Sequence, residues 1–297
     1  MDLNFRKILQ QAWGLTKAHR FLWAFGLFLI FGLAANIILG QDWGVIAPSI
    51  KTVNVSQESR WLISAAAVLI LGFLYFRGKA GLIIALRDLS QRQPAGFLAS
   101  WRQSRGVWAR LAAIFLVVNL GLSVVVLAVD WPLEYISTRL PAGDAAVLSA
   151  AGLLILFPCS VVAAYLYILA PLFAVLFAQP ARAAIYAAYD LWAVNLWLLV
   201  RFGLYMICTR LIGWLCSLLA AAPFVFLAIL AYYKLSGAMS AALAAVAWAS
   251  AVVVFISIAA AGAAFQQACW FLLFEQLTGP EKITEDKSVA VSEAASQ

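Results

Sequence analysis

Between Ala145 and Ala178 the chain runs for 34 residues without a charged side chain. Leu191–Tyr233 then extends for 43 residues with Arg201 and Arg210 as its only charges and Pro223 as its only helix breaker. About 20 apolar residues in a helix, rising 1.5 Å each, cross the roughly 30 Å hydrocarbon core of a bilayer. Runs of this length therefore fix the solvent of the chain before any motif is considered. Composition agrees: 65% of the 297 residues are hydrophobic and 11% are charged, against roughly 45–50% and 25% in soluble domains. The mean hydropathy is +0.96. We expect an all-α integral membrane protein, because a helix satisfies its own backbone hydrogen bonds in lipid.

The runs divide into about six transmembrane helices. Phe21–Gly40 is twenty uncharged residues, and Trp61–Phe76 is a second span that continues as helix towards Asp88. Leu111–Val129 is the third span. The 34-residue run is too long for one straight span, and Pro158 and Pro171 are expected to kink it or to end its lipid-facing part. Leu191–Tyr233 and Leu235–Leu277 complete the set. Polar loops are expected over 41–60 and 130–144, and 278–297 is expected to be a disordered polar tail. A rival topology folds 191–233 into a hairpin near Arg210, giving seven spans and moving the tail across the membrane.

Charge orients the chain. Arg6, Lys7, Lys17 and Arg20 precede the first span, and Arg77, Lys79, Arg87, Arg92, Arg102, Arg105 and Arg110 lie between the second and third. The opposite loops hold Lys51, Arg60, Arg139 and Lys234. Eleven cations against four place both termini in the cytoplasm. The formal net charge of +7 is thus read as orientation, and nucleic acid is not an expected partner. The bacterial cytoplasmic membrane is the expected location.

Residues 1–20 form an amphipathic segment. Phe5, Leu9, Ala12 and Thr16, widened by Ile8 and Trp13, make an apolar face, opposite Arg6, Lys7, Gln10, Gly14 and Lys17. A basic face, an apolar face and a tryptophan predict a helix lying in the membrane surface. The segment recurs at an offset of 88 residues. Leu9-Gln-Gln-Ala12-Trp13, Phe97-Leu-Ala-Ser100-Trp101 and Ile185-Tyr-Ala-Ala188-Tyr189 each place a large apolar residue, a small one and an aromatic ahead of a span. We therefore expect one membrane domain, 1–277, built of three repeats at about 1–88, 89–178 and 179–277. Each repeat is an interfacial helix, a span and a return span, and such units pack around a pseudo-axis.

The amphipathic start LQQAWGLTKAHRFLWAFGLF (9–28) resembles a group of uncharacterised bacterial polytopic proteins. That group includes the membrane domain attached to some glycerophosphoryl diester phosphodiesterases. The resemblance extends over most of 1–277 and implies a multi-span helical domain. The family's phosphodiesterase activity belongs to a separate barrel with metal-binding carboxylates and histidines. This sequence has a single histidine, His19, so the activity is not carried over.

Catalysis and metal binding need two or three convergent polar groups. No phosphate-binding loop, dinucleotide glycine pattern or zinc motif occurs. No cofactor is expected. Cys159, Cys208, Cys216 and Cys269 lie in apolar runs without a C-x-x-C pair and are read as small buried hydrophobes. His19, between Lys17 and Arg20, is read as an interfacial anchor.

Charge at membrane depth costs about 2.5–3.5 kcal/mol on insertion scales, which singles out Arg210, Arg201, Glu275 and Asp190 as possible intramembrane polar contacts. Arg210 could meet a substrate carboxylate or phosphate, and Glu275 could pair with Arg201. The plainer reading has Arg201, Asp190 and Glu275 snorkelling to headgroups and Arg210 at a re-entrant bend. Arg6, Lys7, Lys17, Arg20, Arg102, Arg105 and Arg110 form a candidate surface for anionic lipid or a partner. Two functions remain: a non-catalytic membrane scaffold or accessory subunit binding lipid, a protein partner or a second copy; or a transporter or permease-like component moving a lipid or small solute past Arg210.

Overall fold

The computed structural model describes residues 4–40, 57–139, 141–234 and 238–279, and all of them are helix or short connection. We number the helices in chain order: α1 Phe5–Ala18, α2 Phe21–Gly40, α3 Gln57–Ser90, α4 Phe97–Gln103, α5 Trp108–Ser137, α6 Ala142–Leu176, α7 Ala181–Val194, α8 Leu196–Lys234 and α9 Ala238–Thr278. Asn4 caps α1 by accepting the Lys7 N–H at 3.2 Å, and Pro141 and Pro180 stand at the N-caps of α6 and α7.

Five segments are long and apolar enough to cross a membrane: Ala65–Ser90, Trp108–Ser137, Gly143–Leu176, Leu196–Tyr233 and Ala241–Thr278. This is the pattern of a multi-pass membrane protein. They run to 26, 30, 34, 38 and 38 residues, or about 39–57 Å at the helical rise. The first expected span, α2, is helical for 20 residues, but its side chains are described only as far as Ile30, as a shorter apolar helix. The tail from residue 280 and most of the 41–60 loop lie outside the described residues.

The rival hairpin at Arg210 does not form: α8 is one helix of 39 residues that carries Pro223 inside it. Pro158 and Pro171 lie within the single 35-residue helix α6. One expectation needs correction. The expected loop from Asp130 is helical as far as Ser137, with Pro132 inside. The Ser137 and Thr138 hydroxyls bond the Glu134 and Tyr135 carbonyls, both at 2.9 Å, and so satisfy the helix end locally.

Helices α3, α6 and α9 stop in the same way. Arg92, Ala178 and Gly279 have φ of 55°, 56° and 73°, the left-handed conformation that ends a helix. After α3 the Gln93 N–H reaches back to the Asp88 carbonyl at 2.8 Å, and after α9 the Gly279 N–H reaches Glu275 at 3.0 Å. The local sequences are Arg92-Gln93-Pro94, Ala178-Gln179-Pro180 and Gly279-Pro280, in which proline prevents the helix from continuing.

The chain divides into two compact units, the first comprising the described parts of Met1–Arg105 and Val200–Leu273. Its buried set joins Ile8, Ala12 and Thr16 of α1, Leu22 and Phe25 of α2, residues 80–86 of α3, Phe202 and Met206 of α8, and Ala264, Ala268 and Phe271 of α9. The α1 spine is thus Ile8–Ala12–Thr16. Trp13, expected on the same face, is 56% exposed and stands edge-on to Phe265, with centroids 5.9 Å apart. The Trp23 Nε1–H donates to the Thr16 carbonyl at 3.0 Å and ties α2 to α1. Phe5 stands edge-on to Phe202 and Tyr205 at 5.4 and 5.6 Å. Gly26 lies directly against the Ala260 carbonyl, where a methyl group has no room.

The second unit comprises Gly106–Leu199 and the described residues from Phe274 on. It buries Leu111, Ile114 and Val118 of α5, Ala163, Tyr165 and residues 169–176 of α6, Ala184 and Ala188 of α7, and Leu199 and Phe274. The buried Tyr165 hydroxyl donates to the Leu199 carbonyl at 2.9 Å. Phe173 stands edge-on to Phe274 at 4.8 Å. Arg110 Nη1 donates at 2.8 Å to the carbonyl of Ala178, the left-handed residue that ends α6.

In both units, burial concentrates at one end of the long helices, where the short helices α1, α4 and α7 join them. Elsewhere the long helices expose large apolar side chains, among them Leu116, Leu120 and Leu127 on α5, Leu153, Leu154 and Phe157 on α6, and Leu211, Leu215 and Leu219 on α8. Exposed apolar surface on this scale marks a membrane-facing or protein-facing surface.

Candidate functional site

Among the described residues, charge and aromatic rings meet most densely in the first unit, where α3 meets α4. Gly78 and Gly81 leave a flat strip on α3, and a Cβ at either position would collide with a side chain: Phe28 at Gly78, and the Phe25 ring, 2.5 Å from where a Cβ on Gly81 would stand. The absent side chains admit a stack of Phe25, Phe28, Phe97 and Trp101. Phe97 and Trp101 are parallel at 5.9 Å, Phe25 lies 4.8 Å from Phe97, and Phe28 lies 4.9 Å from Trp101.

Arg77 closes this stack. Its guanidinium carbon lies 4.4 Å from the Trp101 ring centre and 5.6 Å from that of Phe73. Its Nη2 donates to the Trp101 carbonyl at 3.2 Å, and the Ser104 hydroxyl donates to the same oxygen at 2.7 Å. A cation at the C-terminal end of α4 satisfies a carbonyl that the helix leaves open and complements its dipole. Arg77 Nε is buried without a partner. Arg105, just past the end of α4, is a second cation that acts on Arg77 like charge against like. Arg87, nearly three turns further along α3, is paired with Asp88 at 2.7 Å.

Arg77 was counted only among the orienting charges, although the helix was expected to continue past it towards Asp88, as α3 does. The signal for it was the run Arg77-Gly78-Lys79-Ala80-Gly81, a cation beside two glycines that share a helix face.

The residues singled out by depth in the membrane are placed as follows. Arg201 and Arg210 are exposed on the continuous helix α8, so Arg210 is not at a bend. Between Arg210 and Tyr232 the helix rises about 33 Å, enough to place Arg210 near one membrane surface and Tyr232, Tyr233 and Lys234 near the other. Asp190 is exposed on α7, and Glu275 is half-buried near the end of α9. Cys269 is buried, but Cys208 and Cys216 are exposed and Cys159 is half-buried, which corrects their reading as core residues. Apolar helix faces that meet lipid need no burial to hold a thiol.

Arg6, Lys7, Lys17, Arg20, Arg102, Arg105 and Arg110 are all exposed. Their helices turn small residues inward: Ala12 of α1 and Ser100 of α4 are fully buried, as is Ala188 of α7. Among the described residues no group of three or more His, Cys, Asp or Glu side chains is placed to hold a metal ion. Compared with protein-family models, curated proteins and solved structures, the chain finds no match.

Proposed function

We propose that this protein is a non-catalytic, multi-pass membrane scaffold or accessory subunit whose basic surface helices engage the anionic headgroups of the cytoplasmic leaflet and the proteins that gather there. The observation that carries this reading is the division of labour in α1 and α4. Ile8, Ala12, Thr16, Ser100 and Ser104 are buried against their own unit, while Arg6, Lys7, Lys17, Arg102 and Arg105 are exposed. Juxtamembrane cations attract an anionic leaflet by about 1 kcal/mol each.

The proposed topology has six spans, counting α2, with both termini in the cytoplasm of a bacterial inner membrane. The proposed architecture is a threefold repeat of interfacial helix, span and return span. Its support is the common burial of Ala12, Ser100 and Ala188 and the shared left-handed ends at Arg92, Ala178 and Gly279. The resemblance to the membrane domain of glycerophosphoryl diester phosphodiesterases contributes this architecture and no chemistry. A transport reading gains no such support, because Arg210 is exposed on a continuous helix.

The test is lipid composition. Protein extracted with its surrounding bilayer in polymer discs is expected to be enriched in anionic phospholipid over the bulk membrane. A variant with all seven cations, from Arg6 to Arg110, replaced by glutamine should lose the enrichment. Equal composition around both proteins would overturn the proposal.

A further inference from the structure

Arg77 has a preorganised guanidinium with one edge unused. Stacking on Trp101 fixes its plane, and the bond from Nη2 to the Trp101 carbonyl fixes its rotation. Nε is buried, and among the described residues Nη1 carries no hydrogen bond, so Nη1 is the nitrogen we assign to a ligand. Arg105 adds a second positive charge, and its side chain is exposed. Like charges on Arg77 and Arg105, which close the two ends of the same α3–α4 corner, repel, and an oxyanion bound there relieves that repulsion. Planar guanidinium groups suit phosphate oxygens in particular.

The surroundings specify what carries the phosphate. Leu69, Ile70 and Phe73 are 74%, 61% and 37% exposed. They lie four to eight residues before Arg77 on α3, so Leu69 and Phe73 share its helix face at intervals of four. This greasy track is about 12 Å long by helical rise and leads from the apolar part of the Ala65–Ser90 segment to the cation. A free phosphate uses the guanidiniums and gains nothing from the track. A phospholipid uses both, with its acyl chain on the track and its headgroup at the aromatic corner, the depth at which tryptophan settles in membranes.

We propose that Arg77 and Arg105 hold the phosphate of one anionic phospholipid, whose acyl chain lies along Leu69, Ile70 and Phe73. This rests on the headgroup reading above and deepens it: one lipid is held at one place, in addition to a diffuse attraction over the basic surface.

The experiment is native mass spectrometry of the full-length protein released from detergent, titrated with phosphatidylglycerol, with phosphatidylcholine and, separately, with inorganic phosphate. The expected result is a single phosphatidylglycerol adduct that persists at activation energies removing the others, with at least tenfold lower occupancy by phosphatidylcholine. Arg77→Gln and Arg105→Gln should each lower that occupancy about tenfold, whereas Arg182→Gln, exposed on α7 and outside the basic set, should change it less than twofold. Arg105 is exposed, so Arg105→Gln decides the matter even if Arg77→Gln is unstable. Leu69→Asn should weaken phosphatidylglycerol and leave any phosphate adduct unchanged. Phosphate displacing the lipid at millimolar concentration would overturn the lipid assignment. Unchanged occupancy in Arg105→Gln would overturn the site while leaving the wider headgroup reading to the disc experiment. Loss of the single adduct without any loss of bulk enrichment in the seven-cation variant would retain the site and overturn the wider reading.

Discussion

Replacing Gly26 by alanine tests the packed end of the first unit at its tightest point. A Cβ there would fall on the Ala260 carbonyl, a backbone group that cannot rotate aside. Helices α2 and α9 would have to part, and overpacking of this kind costs about 1–3 kcal/mol. Gly121 of α5 supplies the control, because nothing lies within 4 Å of its would-be Cβ. There alanine should instead gain about 0.5–1 kcal/mol through its better helix propensity. At roughly 2–4 °C per kcal/mol for a chain of this size, Gly26→Ala should melt about 2–12 °C below wild type and Gly121→Ala slightly above it. The assay is the fraction remaining monodisperse on gel filtration after heating in detergent. Equal midpoints for the two variants would refute the close approach of α2 to α9.

Other consequences can be read the same way. Trp23→Phe removes the donor to the Thr16 carbonyl and should cost about 0.5–1.5 kcal/mol. Tyr165→Phe should cost a similar amount, because its buried hydroxyl bonds the Leu199 carbonyl; thermal midpoints report both. Ala12→Leu and Ala188→Leu should each destabilise by about 1–3 kcal/mol, whereas Val194→Leu, at a highly exposed position, should stay within about 0.5 kcal/mol. In mild detergent, a small apolar maleimide should modify Cys208 and Cys216 readily and Cys269 only after unfolding; peptide mapping gives the order.

The helical class and most of the long helices were legible because length and hydropathy alone decide what can cross a bilayer. The continuation of α3 past Phe76 was legible from the apolar stretch 81–86. What resisted was which face of each helix is packed. In water, burial and hydrophobicity coincide; in lipid, the face that meets acyl chains is as apolar as the face that meets protein. Large side chains therefore misled, as Trp13 did on α1. Small ones carried the information: Ala12, Gly26, Gly78, Gly81, Ser100 and Ala188 each sit where two elements approach closely. The helix through Asp130–Ser137 was hidden by polar composition and Pro132, both of which a helix end tolerates when hydroxyls satisfy its carbonyls. Arg77 was hidden because charge counting treats every cation near a span as an orienting charge, whether or not it has a structural partner.

The central claim is that the three short helices share the cytoplasmic face. Single cysteines at Lys17, Arg102 and Arg182, exposed on or beside α1, α4 and α7, and at Arg139, exposed between α5 and α6, test it directly once the four native cysteines are replaced. With a charged, impermeant maleimide, the first three positions should stay unlabelled in intact cells and react after permeabilisation, while position 139 reacts in intact cells. Labelling of any one of the first three in intact cells would contradict the shared face, and with it the basic, headgroup-facing surface on which the functional reading stands.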